Sequence, residues 1–251
     1  MHIISTRPLS LSTLKTIVFE GTPIELSDEV IQKIQECRDY LNKKIETTSD
    51  PIYGINTGFG SLCDVRIHSE NLTKLQENLV RSHACGTGTL VPESIIKLML
   101  LLKIKSLSFG HSGVQLETVN RLVSFYNNDI LPVIYTQGSL GASGDLAPLA
   151  HLALPLIGEG MVWYKGIQTP ASEVLSAFDW TPITLQSKEG LALLNGTQFM
   201  TAYGVHSLLK SFKLSYIADL VGAMSLDAYD GRIEPFDSLV HLVRPHNGQI
   251  K

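Results

Sequence analysis

The sequence has little that would staple it, anchor it or draw it onto a polyanion. Cysteine occurs only as Cys37, Cys63 and Cys85, without a CxxC spacing. That odd, scattered set excludes a disulfide-built scaffold and a cysteine-based zinc site. No apolar run approaches the ~20 residues that a membrane-spanning helix needs. The longest, Leu98 to Leu102, is bounded by Lys97, Lys103 and Lys105. Met1 to Leu11 carry no apolar stretch behind a basic start, as a secretory signal would. Basic excess is missing too: 20 Lys and Arg stand against 24 Asp and Glu, a net charge of −4. No Lys/Arg cluster follows a phosphate backbone. These absences point to a cytoplasmic protein with neither nucleic-acid nor membrane partners.

Familiar chemical motifs are absent as well. There is no GxxxxGK[ST] and no HExxH. The GxG at Gly86 lacks its third glycine and follows no strand signal. The eight histidines show no ligand spacing, so no metal is expected. Repeats, low-complexity tracts and long linkers are missing, and no domain boundary stands out along the 251 residues.

What is present is apolar and helical. Hydrophobic residues make up 44% and charged residues 18%, enough for a sizeable core. Ser27 precedes Asp28 and Glu29, and Val30, Ile34, Cys37, Leu41 and Ile45 recur at helical steps, which predicts a capped amphipathic helix. Pro92, as a first-turn residue, opens a second helix to about Leu107, apolar on most sides and therefore buried. Helices are also expected over 115–128, Leu146–Ile157 and 197–229, the last long enough for a bundle or oligomer core. Met161–Tyr164 and Ile167–Thr169 read as a hairpin, and Val133–Tyr135 as extended. The fold class is mainly α with a few short strands.

Glycines gather in four loops: Gly54, Gly58 and Gly60; Gly86 and Gly88; Gly110 and Gly113; Gly138, Gly141 and Gly144. Such loops bend sharply or approach something closely. In Gly138-Ser139-Leu140-Gly141-Ala142-Ser143-Gly144-Asp145, Ser143 is followed directly by glycine, which excludes a GxSxG nucleophile elbow. Two readings remain. One is a helix-entry loop with Asp145 as the cap of the following helix. The other uses the small triplet Ala142-Ser143-Gly144: an unhindered glycine nitrogen two residues after a carbonyl, and a serine hydroxyl able to leave as water, are the ingredients of backbone self-cyclisation.

The stretch from Gly138 to Leu149 resembles the signature of the aromatic amino-acid ammonia-lyase and aminomutase family. Three further blocks agree in order and spacing: Tyr53-Gly54-Ile55-Asn56-Thr57-Gly58-Phe59-Gly60, Leu75–Leu79 with Arg81-Ser82-His83, and Leu193-Leu194-Asn195-Gly196-Thr197-Gln198. The pair Ser82-His83 and the stretch from Val243 to Gln249 resemble the family's histidine branch, although some tyrosine lyases and aminomutases carry Ser-His as well.

The resemblance implies deamination of L-histidine to trans-urocanate and ammonia. It also implies a protein-derived 4-methylideneimidazol-5-one formed from Ala142-Ser143-Gly144, with Ser143 supplying the methylidene carbon, and no diffusible cofactor. By the same resemblance Asp145 assists cyclisation, and Asn195 hydrogen-bonds the ring's carbonyl oxygen. Tyr53 serves as acid/base or amine partner. His83, with Ser82, meets the substrate's side chain, and Gln198 helps position the site. Gly54, Gly58 and Gly60 shape the Tyr53 loop, while His111, His151 and His206 read as structural.

Family members are roughly twice as long and are homotetramers. Residues 1–251 are therefore expected to be an N-terminal half, site-bearing to about 195 and entering the long-helix bundle over about 196–230, with the C-terminal half absent and the piece inactive alone. The alternatives are a tyrosine lyase or aminomutase, or a non-catalytic folding and assembly module.

Overall fold

The computed structural model describes residues 1–48, 50–58, 67 and 71–250. Phe59, Gly60 and Cys63 lie outside the described residues. The chain divides into two compact units, Met1–His206 and Ser207–Lys251.

The first unit opens with strand β1 (His2–Ile4), helix α1 (Leu11–Phe19), strand β2 (Ile24–Leu26) and helix α2 (Asp28–Thr47). β1 and β2 pair in parallel, a pairing that such short segments do not announce in sequence. The Ser27 side chain accepts the Val30 N–H and caps α2 as expected. Val30, Ile34 and Leu41 are buried, and so is Arg38, which shares their face.

Next come α3 (Leu72–His83), β3 (Thr87–Leu90), α4 (Glu93–Leu107) and α5 (Leu116–Asn127). Pro92 is the N-cap of α4 rather than its first turn. α4 is the centre of the core: Ile95, Ile96, Leu98, Met99, Leu100, Leu101 and Ile104 are all at most 1% exposed. At about 1.5–3 kcal/mol for each fully buried large aliphatic side chain, α4 contributes heavily to the unit's stability. It carries two buried lysines as well, Lys103 and Lys105.

β4 (Leu131–Pro132) and β5 (Tyr135–Gln137) bracket the expected Val133–Tyr135 stretch. Between them Val133 N–H donates to Met161 O and Ile134 O accepts from Val91 N, so one extended segment changes partners midway. α6 (Leu146–Ala153) tightens into a 3-10 turn, Leu154–Ile157, and ends at Gly158 with φ +79°. The hairpin is present as β6 (Met161–Tyr164) and β7 (Ile167–Pro170), with β4 on its outer side. α7 (Ala171–Ala177) and α8 (Glu189–Leu194) follow, and then α9 (Gln198–Ala228), which leaves the first unit at His206.

The second unit holds the rest of α9, a 3-10 turn (Glu234–Phe236), α10 (Ser238–Val243) and α11 (Asn247–Ile250). None of its described residues is buried. Phe212, Leu214, Tyr216, Ile217, Leu220, Val221 and Met224 of α9 are all exposed and spread over more than one face. Among the described residues no helix is long and apolar enough to cross a membrane.

Candidate functional site

The candidate site is mounted on three helices that share a small apolar cluster. Leu79 of α3, Ala150 of α6 and Leu194 of α8 are buried together, with Ala84, Leu146 and Leu191 around them. α3 and α8 touch through backbone: a Cβ at Gly190 would lie 2.6 Å from Gln76 O. Any larger residue at 190 would push the helices apart. His83 ends α3, the Ala142-Ser143-Gly144 turn precedes α6, and Asn195 ends α8. One platform therefore registers three of the four sequence blocks.

Ala142 and Ser143 are exposed, and the chain folds back on itself at this turn. Gly144 N–H points back to Gly141 O at 3.4 Å, and both residues 141 and 142 bridge to 144. Gly144 has φ +105°, and a Cβ there would meet Gly196 O at 2.8 Å and Gly196 N at 3.1 Å. Only glycine fits. The triplet therefore suits the protein-derived group that the resemblance implies: its serine is exposed, its glycine nitrogen is turned towards the preceding residues, and the floor under it is peptide backbone.

Asp145 corrects one expectation. It occupies the N-cap position of α6, but its side chain makes no cap bond there. Its Oδ2 accepts Met200 N–H at 3.0 Å, in the first turn of α9, and its Oδ1 accepts the Ser139 hydroxyl at 2.7 Å. Its own N–H donates to Gly196 O at 2.8 Å. A fully buried carboxylate thus caps a different helix, where the helix dipole favours negative charge. In doing so it ties the triplet to the Gly196 turn.

Tyr53 and Asn195 line one cleft of about 450 Å³ with His111, Ser112, Lys188, Leu191 and Ala192. The Tyr53 loop is held from below by buried Asn56, whose Oδ1 accepts Ile52 N–H at 2.6 Å and whose Nδ2 donates to Asp50 O at 3.0 Å. Tyr53 itself is 57% exposed. On the other wall Lys188 has φ +72°, unusual for a residue with a side chain. Buried Glu189 holds that conformation, accepting Gln186 N–H at 2.8 Å, Gln115 N–H at 2.8 Å, Gln115 Nε2 at 2.6 Å and the Thr118 hydroxyl at 2.7 Å. Arg38 adds a second brace, donating to Gly113 O and Ser187 O, each at 2.9 Å.

The cleft lining does not include Ser82, His83 or Gln198. His83 Nδ1 lies 2.8 Å from Leu79 O. A carbonyl oxygen only accepts, so Nδ1 carries the proton and a neutral ring keeps Nε2 as its acceptor. The Ser82 hydroxyl is spent on the same carbonyl at 3.1 Å. Gln198 is buried at the start of α9 with its amide against Gly196, under the turn rather than in the cleft.

The histidines separate. His151 is structural: it accepts Gly86 N–H at Nε2, 3.0 Å away, and burial lowers its pKa, so the ring is neutral. His111 instead faces the Tyr53 cleft. Among the described residues no group of three or more His, Cys, Asp or Glu could hold a metal.

Sequence reasoning missed His111, Ser112, Lys188 and the braces Arg38 and Glu189. Arg38 had a signal, since it lies four residues after Ile34 and three before Leu41, on the buried face. His111 and Ser112 sit between two glycines of a loop already suspected.

A profile of the aromatic amino acid lyases matches residues 9–251. A histidine ammonia-lyase of Halalkalibacterium halodurans is 44% identical over 250 residues, 100% of this chain and 49% of that protein. One of Legionella pneumophila is 45% identical over 248 residues, 99% and 49%. Among solved structures, histidine ammonia-lyase from Trypanosoma cruzi superposes with TM-score 0.90 at 37% identity, covering 98% of this chain and 48% of that one. Tyrosine aminomutase from Streptomyces globisporus gives 0.92 at 34%, covering 99% and 47%. The chain thus spans about half the length of the relatives it matches. Over that span, in sequence and in fold, it belongs to the aromatic amino acid lyase family.

Proposed function

We propose that this chain is the site-bearing N-terminal half of a histidine ammonia-lyase, which removes ammonia from L-histidine to leave trans-urocanate. The observation that carries the reading is the Ala142-Ser143-Gly144 turn, exposed, folded back and held on Gly196 by Asp145, in a chain 44% identical to histidine ammonia-lyases. Cyclisation joins Gly144 N to the Ala142 carbonyl carbon and releases that oxygen as water; Ser143 then loses its α-hydrogen and hydroxyl as a second water. When formed, the group supplies an electrophilic carbon for the substrate's amine, which is otherwise a poor leaving group.

The chain's own residues do the rest. Asp145 holds the turn. Asn195 stands beside it as a donor for charge on the ring's carbonyl oxygen. Tyr53, across the cleft, exchanges the substrate's proton at its phenol oxygen. His83, outside the cleft lining, turns Nδ1 to Leu79 O and so offers Nε2 as an acceptor for a donor such as an imidazole N–H. The substrate is a small amino acid, and the working protein is a homotetramer of the cytoplasm. The apolar surface of α9 suits such an assembly, because a helix apolar on more than one face is normally buried.

Tyrosine aminomutase activity is the second reading, supported by the 34% identical structural neighbour. Intact mass of the purified chain tests the cyclisation. A deficit of two waters that disappears in Ser143→Ala supports the reading, and full mass in both removes it for this chain. Urocanate formation from histidine, against β-tyrosine from tyrosine, separates the two activities in a protein that carries both halves.

A further inference from the structure

Lys103 has no part in the reaction just described, yet it is a deeply buried charged group next to the site. It projects from the core helix α4 and is 1% exposed. Its Nζ donates to Ala192 O at 2.7 Å and to Asn195 O at 3.2 Å. Among the described residues no carboxylate pairs with it. Burial alone pulls its pKa down to about 7.

Those two carbonyls are among the ones that the end of α8 leaves without intrahelical partners. The Asn195 side chain and N–H both turn back to Leu191 O, at 3.3 and 3.0 Å, so neither serves Ala192 O or Asn195 O. A donor from a different helix therefore fixes the peptide that joins Asn195 to Gly196. Gly196 is in turn the floor of the triplet: its O accepts Asp145 N–H, and no Cβ could be inserted between it and Gly144.

We propose that Lys103 is a positioning residue of the candidate site, a cap for α8 supplied from α4 that sets where Asn195 and Gly196 stand beneath Ala142-Ser143-Gly144. A buried ammonium is an expensive way to fill a core, and an apolar side chain of the same length would cost less desolvation. What it provides is N–H donors at two carbonyls at the end of α8, one of them on a residue of the site. This inference rests on the reading of the triplet and of Asn195 given above.

The test compares Lys103→Met, which keeps length and loses the donors, with Lys103→Arg, which keeps donors and adds bulk. Each is made in the 251-residue chain and read three ways: thermal midpoint, amide hydrogen exchange of the segment around 190–198, and the rate at which two waters are lost by intact mass. The expected order is parent and Arg above Met. In the Met variant, exchange around 190–198 and the half-time of water loss both change by about tenfold or more, the scale on which small misplacement acts. Met equal to or better than Arg in exchange overturns the proposal, because a mere core filler would tolerate Met best. Should Met fail to fold, the Arg variant decides: parent-like protection of 190–198 supports the proposal, and protection lost in a folded Arg variant overturns it. Should the parent keep its full mass, the cyclisation reading fails for this chain, while the exchange order still decides the role of Lys103.

Discussion

The two units of this chain handle apolar surface in opposite ways. Met1–His206 buries α4 on nearly every side and spends even charged groups, Lys103, Arg38 and Glu189, inside. The described residues of the second unit include no buried one, and Phe212, Leu220 and Met224 lie in the open. Both stretches are helical and apolar in sequence, so helix formation is not what separates them. The difference is that α4 is covered on nearly every side within its own unit, whereas the described residues of the second unit cover none of their own apolar side chains fully.

The largest effect on this contrast should come from Glu189. Replacing it by Ala leaves four donors facing a void, and a single buried donor left unpaired already costs about 1–3 kcal/mol. Urea unfolding should show that loss. A change under about 1 kcal/mol would mean that the brace is redundant.

Next, Leu100→Ala and Leu220→Ala set the units against each other directly. The first should cost about 2–5 kcal/mol for the cavity it leaves. The second should stay within about 0.5 kcal/mol in dilute, monomeric chain. A large Leu220 effect that grows with protein concentration would show that α9 is already covered by a second copy.

Stability should also respond to pH through the first unit. The Lys103 pKa is lowered to about 7 in the folded chain, against about 10.4 when unfolded. Between those values the unfolded chain holds a proton that the folded chain lacks, so stability rises as pH is taken from about 7 towards 10. Lys105, lowered by burial as well, adds in the same direction. Denaturant midpoints across that range should slope upward, and Lys103→Met should flatten the slope. An equal slope in the variant would assign it elsewhere.

The smallest change is Ser27→Ala, which removes the cap of α2 and should cost about 1 kcal/mol. Isothermal urea curves resolve it.

Much of this fold was legible because its signals are local. The cap at Ser27, the helical steps from Val30 to Leu41, the hairpin around Lys165-Gly166 and the continuous pattern that becomes Gln198–Ala228 depend on near neighbours only. The glycine loops announced close approaches, and Gly144 against Gly196 is one. The parallel pairing of His2–Ile4 with Ile24–Leu26 was not legible, since its register depends on contacts 22 residues apart.

The candidate site divides the same way. The order and chemistry of Tyr53, His83, Ala142-Ser143-Gly144-Asp145 and Asn195 are properties of the chain as written. Which helix Asp145 caps, that Lys188 and His111 share a cleft with Tyr53, and that Lys103 leaves its apolar run to hold Asn195 are not. A carboxylate or an ammonium takes whichever partner packing brings within about 3 Å, and that partner lies far away in sequence. Local pattern therefore specifies the helices, while the core that draws α3, α6 and α8 together selects the bonds between them.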